Sequence, residues 1–159
     1  MNPEPLEVQV GKLLTARNLT LALAESCTGG LISHRLTEVP GSSTYFLGGI
    51  VAYAYDVKER QLGVKHNTLY DHGAVSAETA LEMARGARRA LGTDIGLGVT
   101  GIAGPGGGMP GKPVGLVHLA VARRGGGLIH EKQLFGDQSR RQIRLLTVQR
   151  TFALVGKVL

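Results

Sequence analysis

Short apolar runs alternate along this chain with stretches whose apolar residues recur at helical spacing. The runs have the length of buried strands, and the stretches between them have the length of amphipathic helices. Strands are predicted at Leu19–Ala24, Tyr45–Tyr53, Ile95–Thr100, Val114–Ala122 and Leu128–Phe135. Helices are predicted at 4–17, Leu31–Glu38, Asp56–Leu62, from an N-cap at Ser76 to Leu91, and at Ile143–Val158, with a loop at Leu69–Val75. This alternation is typical of an α/β sheet covered by helices on both faces.

The last two predicted strands are joined by a tight glycine-rich turn at Arg123–Gly127, so they pair antiparallel and the sheet is mixed. A length of 159 residues is typical of one domain. No interdomain linker and no internal repeat interrupts the pattern. We therefore expect a single α/β domain that spans residues 1–159.

Composition limits the class of protein further. The single cysteine, Cys27, excludes an internal disulfide and a metal cluster held by several thiolates, which fits a reducing, cytoplasmic setting. No signal peptide is recognisable, and no apolar run reaches the roughly 18 residues of a membrane helix. The net charge is +6, but the cations are spread along the chain and few aromatic residues accompany them. This pattern favours a phosphorylated small molecule over nucleic acid or a membrane as the partner.

Ser26 is the first candidate for chemistry, because it follows a buried strand and precedes a glycine-bearing turn and a helix. A hydroxyl at such a turn lies beside backbone N–H groups that can hold an oxyanion. These N–H groups belong to Cys27, Thr28, Gly29 and Gly30. The plainer interpretation of Ser26 is a helix N-cap. Cys27 is a rival nucleophile, although a lone cysteine is equally typical of a small buried apolar position.

A serine nucleophile needs a base, and none of the five histidines lies in a recognisable triad pattern. Lys58 remains, five residues after the predicted end of a strand at Tyr53. A desolvated, neutral lysine can accept the proton of a serine, whereas an ordinary lysine on a solvated helix face cannot. Tyr53 can orient this pair or donate a proton, or it is simply a strand residue.

A second small-residue loop and three arginines complete the candidates. The loop begins with Thr100, Gly101, Ile102, Ala103 and Gly104, and its backbone can approach a phosphate closely; otherwise it is a flexible turn. Arg140, Arg141 and Arg144 stand near the start of the last predicted helix, where they bind an anion or form a solvated face. No metal-binding motif is present in the sequence.

Several ordered motifs together resemble one known family. They are ESCTGG at 25–30, PGSSTYFLGG at 40–49, HGAVS at 72–76 and TGIAGPGGG at 100–108, and the likeness extends from about Leu19 to the end of the sequence. This sequence resembles the CinA carboxy-terminal domain, whose bacterial members are nicotinamide mononucleotide deamidases.

The resemblance implies a three-layer α/β/α sandwich with a mixed, mostly parallel sheet. It implies hydrolysis of nicotinamide mononucleotide to nicotinic acid mononucleotide and ammonia, no cofactor, and a homo-oligomer. The family's serine, tyrosine and lysine fall on Ser26, Tyr53 and Lys58, and its arginines best fit Arg140 and Arg144. The run YAYDVK at 53–58 departs from the family's usual YSNEAK-like pattern. Without the family's amino-terminal molybdopterin-binding-like domain, the stand-alone form is expected.

Two further functions compete with this one. A nucleotide-binding module without catalysis would bind the mononucleotide tightly and leave it intact. A nucleic-acid-binding protein connected with DNA uptake or repair would show an affinity that falls steeply with salt. Neither alternative needs Ser26 and Lys58 to meet, which makes the distance between them the decisive structural question.

Overall fold

Five strands form one sheet in the computed structural model, which describes residues 2–159. They are β1 (Leu21–Glu25), β2 (Phe46–Val51), β3 (Ile95–Gly101), β4 (Leu116–Arg123) and β5 (Leu128–Leu134). Six α-helices surround them in the described residues: α1 (Leu6–Ala16), α2 (Leu31–Thr37), α3 (Tyr55–Leu62), α4 (His66–His72), α5 (Ala77–Leu91) and α6 (Arg140–Val158). None of these helices combines the length and the apolarity that crossing a bilayer requires.

The sheet is mixed, in the order β2-β1-β3-β4-β5. Strand β1 pairs parallel with both β2 and β3, whereas β4 pairs antiparallel with β3 and with β5. Only β4 therefore runs against the other strands. The carboxyl ends of β1, β2 and β3 meet at one edge, which is where α/β sheets bind ligands.

Helices cover both faces of the sheet. The leucines of β1 and Leu97 of β3 form the larger core with α1, α2 and α6. Ala22 and Ala24 of β1 point the other way and pack with side chains of α3, α4 and α5. Neighbouring residues of a strand face opposite sides of the sheet. The leucines therefore fill the core on one face, and the alanines on the other face allow the helices to pack close to the sheet. The expected three-layer α/β/α arrangement is confirmed.

Helix α5 lies directly against the backbone of β3. A Cβ atom at Gly96 would come within 2.1 Å of the Ala84 carbonyl oxygen, and one at Gly98 within 2.2 Å of the Ala80 carbonyl oxygen. The predicted N-cap is confirmed, since the Ser76 hydroxyl accepts a hydrogen bond from the N–H of Thr79 at 3.1 Å. These contacts fix the start of α5 beside the carboxyl edge of the sheet.

Two element boundaries differ from the prediction in an informative way. The predicted loop at Leu69–Val75 was wrong in its first half, because α4 continues to His72 with only Leu69 fully buried. Helix α6 begins three residues earlier than predicted. Ser139 and Gln142 form a reciprocal capping box there, which brings Arg140 into the first turn.

Candidate active site

Ser26 and Lys58 meet at the carboxyl edge of the sheet. Ser26 is the first residue after β1, and Lys58 lies in the first turn of α3, shortly after β2. Because β1 and β2 run parallel side by side, their ends bring the two residues together. The Lys58 Nζ atom lies 3.0 Å from the Ser26 Oγ atom, and the lysine side chain is 1% exposed.

The remaining contacts of Lys58 orient its amine. Nζ donates to the carbonyl oxygens of Ala52 at 2.7 Å and Tyr53 at 3.1 Å. Burial lowers the pKa of Lys58 to about 8, because a charged amine loses its hydration there. A neutral amine has two N–H groups, which the two carbonyls occupy, and one lone pair. That lone pair is then left for the hydroxyl proton of Ser26.

Cys27 lines the same cavity but has the opposite electrostatic character. Burial raises the pKa of its thiol to about 12, and the nearby Glu25 carboxylate opposes ionisation further. A nucleophilic cysteine needs a thiolate at neutral pH. Cys27 is therefore a neutral, apolar wall of the cavity, which weakens its case as the rival nucleophile.

Ser26 is not the helix N-cap of the plainer interpretation, although the turn and the helix from Leu31 lie where the sequence predicted them. Gly30, with φ of 100°, is the N-cap of α2, so Ser26 precedes the cap by four residues. The buried Glu25 carboxylate instead fills the start of α2, where it accepts from the N–H groups of Ile32 at 2.9 Å and Ser33 at 3.0 Å. It also accepts from the hydroxyls of Thr28 and Ser33, both at 2.7 Å.

Within residues 2–159, three backbone N–H groups of this turn make no hydrogen bond: those of Cys27, Thr28 and Gly30. The N–H of Gly29 is occupied by the Ser26 carbonyl oxygen. Of Cys27, Thr28 and Gly30, Cys27 alone lines the cavity beside Ser26, so its N–H group is the candidate oxyanion donor. The N–H groups of the α2 terminus are already bound to Glu25.

Arg144 of α6 supports the turn from its other side. Its Nε atom donates to the carbonyl oxygen of Cys27 at 3.1 Å, and Nη2 donates to that of Thr28 at 3.0 Å. The arginine predicted to bind substrate therefore holds the backbone next to Ser26. Its charge-assisted hydrogen bonds are of the strong kind.

A cavity of about 250 Å³ opens beside the Ser26–Lys58 pair. Ten of the predicted site residues line it, namely Ser26, Cys27, Tyr53, Lys58, Thr100, Gly101, Ile102, Ala103, Gly104 and Arg140. Thr28, Gly29, Gly30 and Arg144 do not. Four lining residues were not predicted: Ala74, Val75, Gly106 and Gly107. All four lie inside the HGAVS and TGIAGPGGG motifs, so the motifs contained the signal.

Arg140 and Tyr53 form the charged rim of this cavity. Arg140 donates from Nη1 to the Gly104 carbonyl oxygen at 2.8 Å and from Nη2 to the Tyr53 hydroxyl at 3.0 Å. The phenol of Tyr53 therefore contacts Arg140, and only the Tyr53 carbonyl contacts Lys58. Arg141 is exposed and does not line the cavity. The lining holds two basic side chains and no acidic one, which makes the cavity attractive to anions.

Metal ligands are not grouped anywhere in the part of the chain that the structure describes, since no three His, Cys, Asp or Glu side chains are arranged to hold an ion. His118 and His130 form a pair only, with 2.8 Å between Nδ1 and Nε2.

The fold and the site define a class of protein: a mixed α/β domain that presents a buried serine–lysine pair to a positively charged cavity. The chain belongs to the CinA C-terminal domain family, whose model matches residues 3–159.

Sequence relatives and solved structures agree on this family. A CinA-like protein of Geobacter sulfurreducens is 53% identical over 133 residues, which are 84% of this chain and 32% of that protein. A CinA-like protein of Chloroherpeton thalassium is 57% identical over 118 residues, 74% of this chain and 28% of that protein. The chain thus spans about a third of the length of the curated relatives it matches.

Among solved structures, the competence/damage inducible protein CihA of Agrobacterium tumefaciens is 44% identical, with a TM-score of 0.92. The match covers 98% of this chain and 97% of that one. A CinA superfamily protein of Escherichia coli is 30% identical, with a TM-score of 0.93 over 97% of this chain and 88% of that one. The expected fold and family are confirmed.

Proposed function

We propose that this domain hydrolyses the carboxamide of nicotinamide mononucleotide, releasing nicotinic acid mononucleotide and ammonia in the cytoplasm. One observation carries the proposal: a buried lysine amine lies 3.0 Å from the Ser26 hydroxyl while two carbonyls bind its N–H groups. This is the arrangement of a general base beside its nucleophile.

In the first half-reaction, Ser26 Oγ attacks the carboxamide carbon and its proton passes to Lys58 Nζ. The carbonyl oxygen of the substrate becomes an oxyanion, for which the unoccupied N–H group of Cys27, a residue that lines the cavity, is the candidate donor. The tetrahedral intermediate then collapses, its C–N bond breaks, and the Lys58 ammonium gives its proton to the departing nitrogen. Ammonia and an ester on Ser26 result.

In the second half-reaction, Lys58 takes a proton from a water molecule that attacks the ester. The second tetrahedral intermediate collapses with cleavage of the bond to Ser26 Oγ, and Lys58 returns the proton to that oxygen. The carboxylic acid that forms loses its proton to solvent, and nicotinic acid mononucleotide leaves as the carboxylate. The same amine accepts and donates a proton in each half, for which a pKa of about 8 is well suited near neutral pH.

The substrate's phosphate accounts for the charge of the cavity. Arg140 has its guanidinium at the rim, and the loop from Thr100 to Gly107 offers backbone close by. Arginine and small-residue loops both suit a phosphate. The Tyr53 hydroxyl accepts a hydrogen bond from Arg140 at 3.0 Å, which supports a role for Tyr53 in binding the nucleotide beside Arg140.

Removal of the hydroxyl tests the proposal. Ser26→Ala should lower ammonia release from nicotinamide mononucleotide by at least about 10³-fold, because the covalent path is lost. Lys58→Met should cost about 10²- to 10⁴-fold through loss of the base. Ser43→Ala, at an exposed serine, is the matched control and should keep full activity.

The assay is run on purified protein with and without a chelator. Full activity in Ser26→Ala would refute the nucleophile. Tight binding of the mononucleotide by the unaltered protein without any ammonia would refute catalysis and leave a binding module.

A further inference from the structure

Four arginines from one helix and one strand line one concavity far from Ser26. Arg85, Arg88 and Arg89 come from the last turns of α5, and Arg123 comes from the end of β4. Together they line a hollow of about 210 Å³. The fold therefore brings Arg123 beside three arginines that are already close together in the sequence.

The four guanidinium groups have no carboxylate partner within residues 2–159. The adjacent Arg124 pairs with Asp94 at 3.1 Å, so that carboxylate is already engaged. Two of the four are oriented by backbone oxygens: Arg88 Nη1 donates to Thr93 O at 3.3 Å, and Arg123 Nη1 to Val158 O at 3.2 Å. Each guanidinium has five N–H donors, so most of them remain unused.

A helix C-terminus explains only part of this arrangement. Basic residues in the last turn interact favourably with the helix dipole, which accounts for Arg88 and Arg89. Arg85 lies a turn earlier, and Arg123 belongs to a strand. Bringing four like charges to one hollow is unfavourable unless an anion offsets their repulsion.

The hollow lies at the opposite end of the sheet from the Ser26 cavity. Arg123 pairs with Ile95 at the start of β3, whereas Thr100 and Gly101 at the end of β3 line the cavity. The length of that strand separates the two places by about 20 Å. An anion in the hollow is therefore a second ligand and not part of the proposed substrate.

We propose that this arginine hollow, defined by Arg85, Arg88, Arg89 and Arg123, binds a compact chain of two or three phosphate groups. Arginine forks match phosphate oxygens in pairs, and several adjacent phosphates use four guanidiniums where one phosphate cannot. None of the hollow's lining residues is aromatic, so it has no platform on which the bases of single-stranded nucleic acid would stack. Free inorganic oligophosphate and the phosphate tail of a nucleotide share this chemistry.

The test measures binding by titration calorimetry of the whole protein with inorganic triphosphate and, separately, with adenosine triphosphate. Arg88→Gln and Arg123→Gln should each weaken triphosphate binding about tenfold, because each removes a charge-assisted hydrogen bond. Arg141→Gln removes the same charge from an exposed position outside the hollow and should change the affinity less than twofold.

The two ligands separate the two sources. Equal affinities would assign the hollow to the phosphate chain alone, and tighter binding of the nucleotide would assign it to a nucleotide tail; both support the proposal. Absence of triphosphate binding at millimolar concentration would overturn it. Equal losses in Arg88→Gln and Arg141→Gln would also overturn it, because they would reveal attraction by net charge only. An oligonucleotide that binds more tightly than triphosphate would replace it with a nucleic-acid surface.

Discussion

The surroundings of the Lys58 Nζ atom determine its protonation state. A lysine that is 1% exposed has given up the hydration of its amine, and two carbonyls and one hydroxyl take the place of water. Carbonyl oxygens stabilise the charged amine only in part, so the neutral form gains and the pKa falls to about 8. The residue is thereby held near the balance between base and acid.

The pKa of Lys58 predicts the pH dependence of the reaction. Below about 8 the amine is mainly protonated and cannot accept the Ser26 proton, so kcat/KM for ammonia release should rise with pH and level off above about 8. A steady-state profile across that range measures it. A profile that stays flat from neutral to alkaline pH would contradict the role of Lys58 as base.

The lowered pKa of Lys58 also makes the free energy of unfolding depend on pH. Between the folded pKa of about 8 and the ordinary value of 10.5, the unfolded chain binds the proton and the folded chain does not. The free energy of unfolding gains a favourable contribution from this group as the pH rises through that window. The contribution is lost as the pH falls from 10.5 to about 8, and below about 8 it changes no further because both states are protonated.

Tyr45 is a residue whose hydroxyl destabilises the fold. Its ring is 4% exposed, and its hydroxyl is the one buried side-chain polar atom of the described residues that has no hydrogen-bond partner. Tyr45→Phe removes that unsatisfied group and should raise the free energy of unfolding by about 1 kcal/mol. Urea denaturation measures the change.

The exposed Tyr70 provides the control, since Tyr70→Phe alters a phenol that water already solvates. A loss of stability in Tyr45→Phe would mean that the buried hydroxyl has a partner after all.

At the scale of elements, the turn after β1 is held between two charged residues from different parts of the chain. Glu25 binds Thr28 and the start of α2, while Arg144 of α6 binds the carbonyls of Cys27 and Thr28. Neither side chain lines the cavity. Both therefore position the turn without contacting the proposed substrate.

Arg144→Met should lower kcat by about 10²-fold with little change in KM, because a shift of the Ser26 turn by a fraction of an ångström misaligns the nucleophile. Arg141→Met, on the exposed face of the same helix, should leave both constants unchanged. If Arg144→Met instead raised KM and left kcat intact, Arg144 would be a substrate-binding residue, as the sequence first indicated.

The contact between α5 and β3 makes a prediction about stability. Gly98→Ala would place a methyl group 2.2 Å from the Ala80 carbonyl oxygen, so helix and sheet must separate. We expect a loss of about 3 kcal/mol in the free energy of unfolding, at the upper end of the usual cost of overpacking.

Gly156→Ala is the matched control, because a Cβ at Gly156 meets nothing within 4 Å and alanine favours the α6 helix by about 1 kcal/mol. The two variants should therefore move the thermal midpoint in opposite directions. Equal shifts in one direction would contradict the close approach of α5.

Helices and strands with a regular spacing of apolar residues were the ones that the sequence predicted well. Strongly patterned segments such as α5 and β3 were predicted within a few residues. Helix α4 was not, because Leu69 alone anchors it and one buried residue in seven leaves no period to detect. The sequence did not predict that Glu25 binds the start of α2. Its carboxylate reaches N–H groups seven and eight residues later only because of the way the turn folds.

For the whole molecule, alternation of strands and helices was enough to predict a mixed α/β sheet, and the tight turn after β4 predicted the reversed strand. The strand order β2-β1-β3 was not predictable, because it depends on long crossovers. The sequence predicted that Ser26 and Lys58 meet, because both follow the ends of strands. It did not predict the arginine hollow, because the position of Arg123 depends on the register of β4 against β3.

Because Arg144 holds the Ser26 turn, the site is complete only after α6 has been synthesised and has folded. Helix α6 follows every strand in the sequence, and it supplies both Arg140 at the rim and Arg144 behind the nucleophile. While the ribosome is still translating, a sheet with Ser26 and Lys58 already in place would lack both arginines. Under the proposed function, full activity would then be reached only once α6 has emerged and docked.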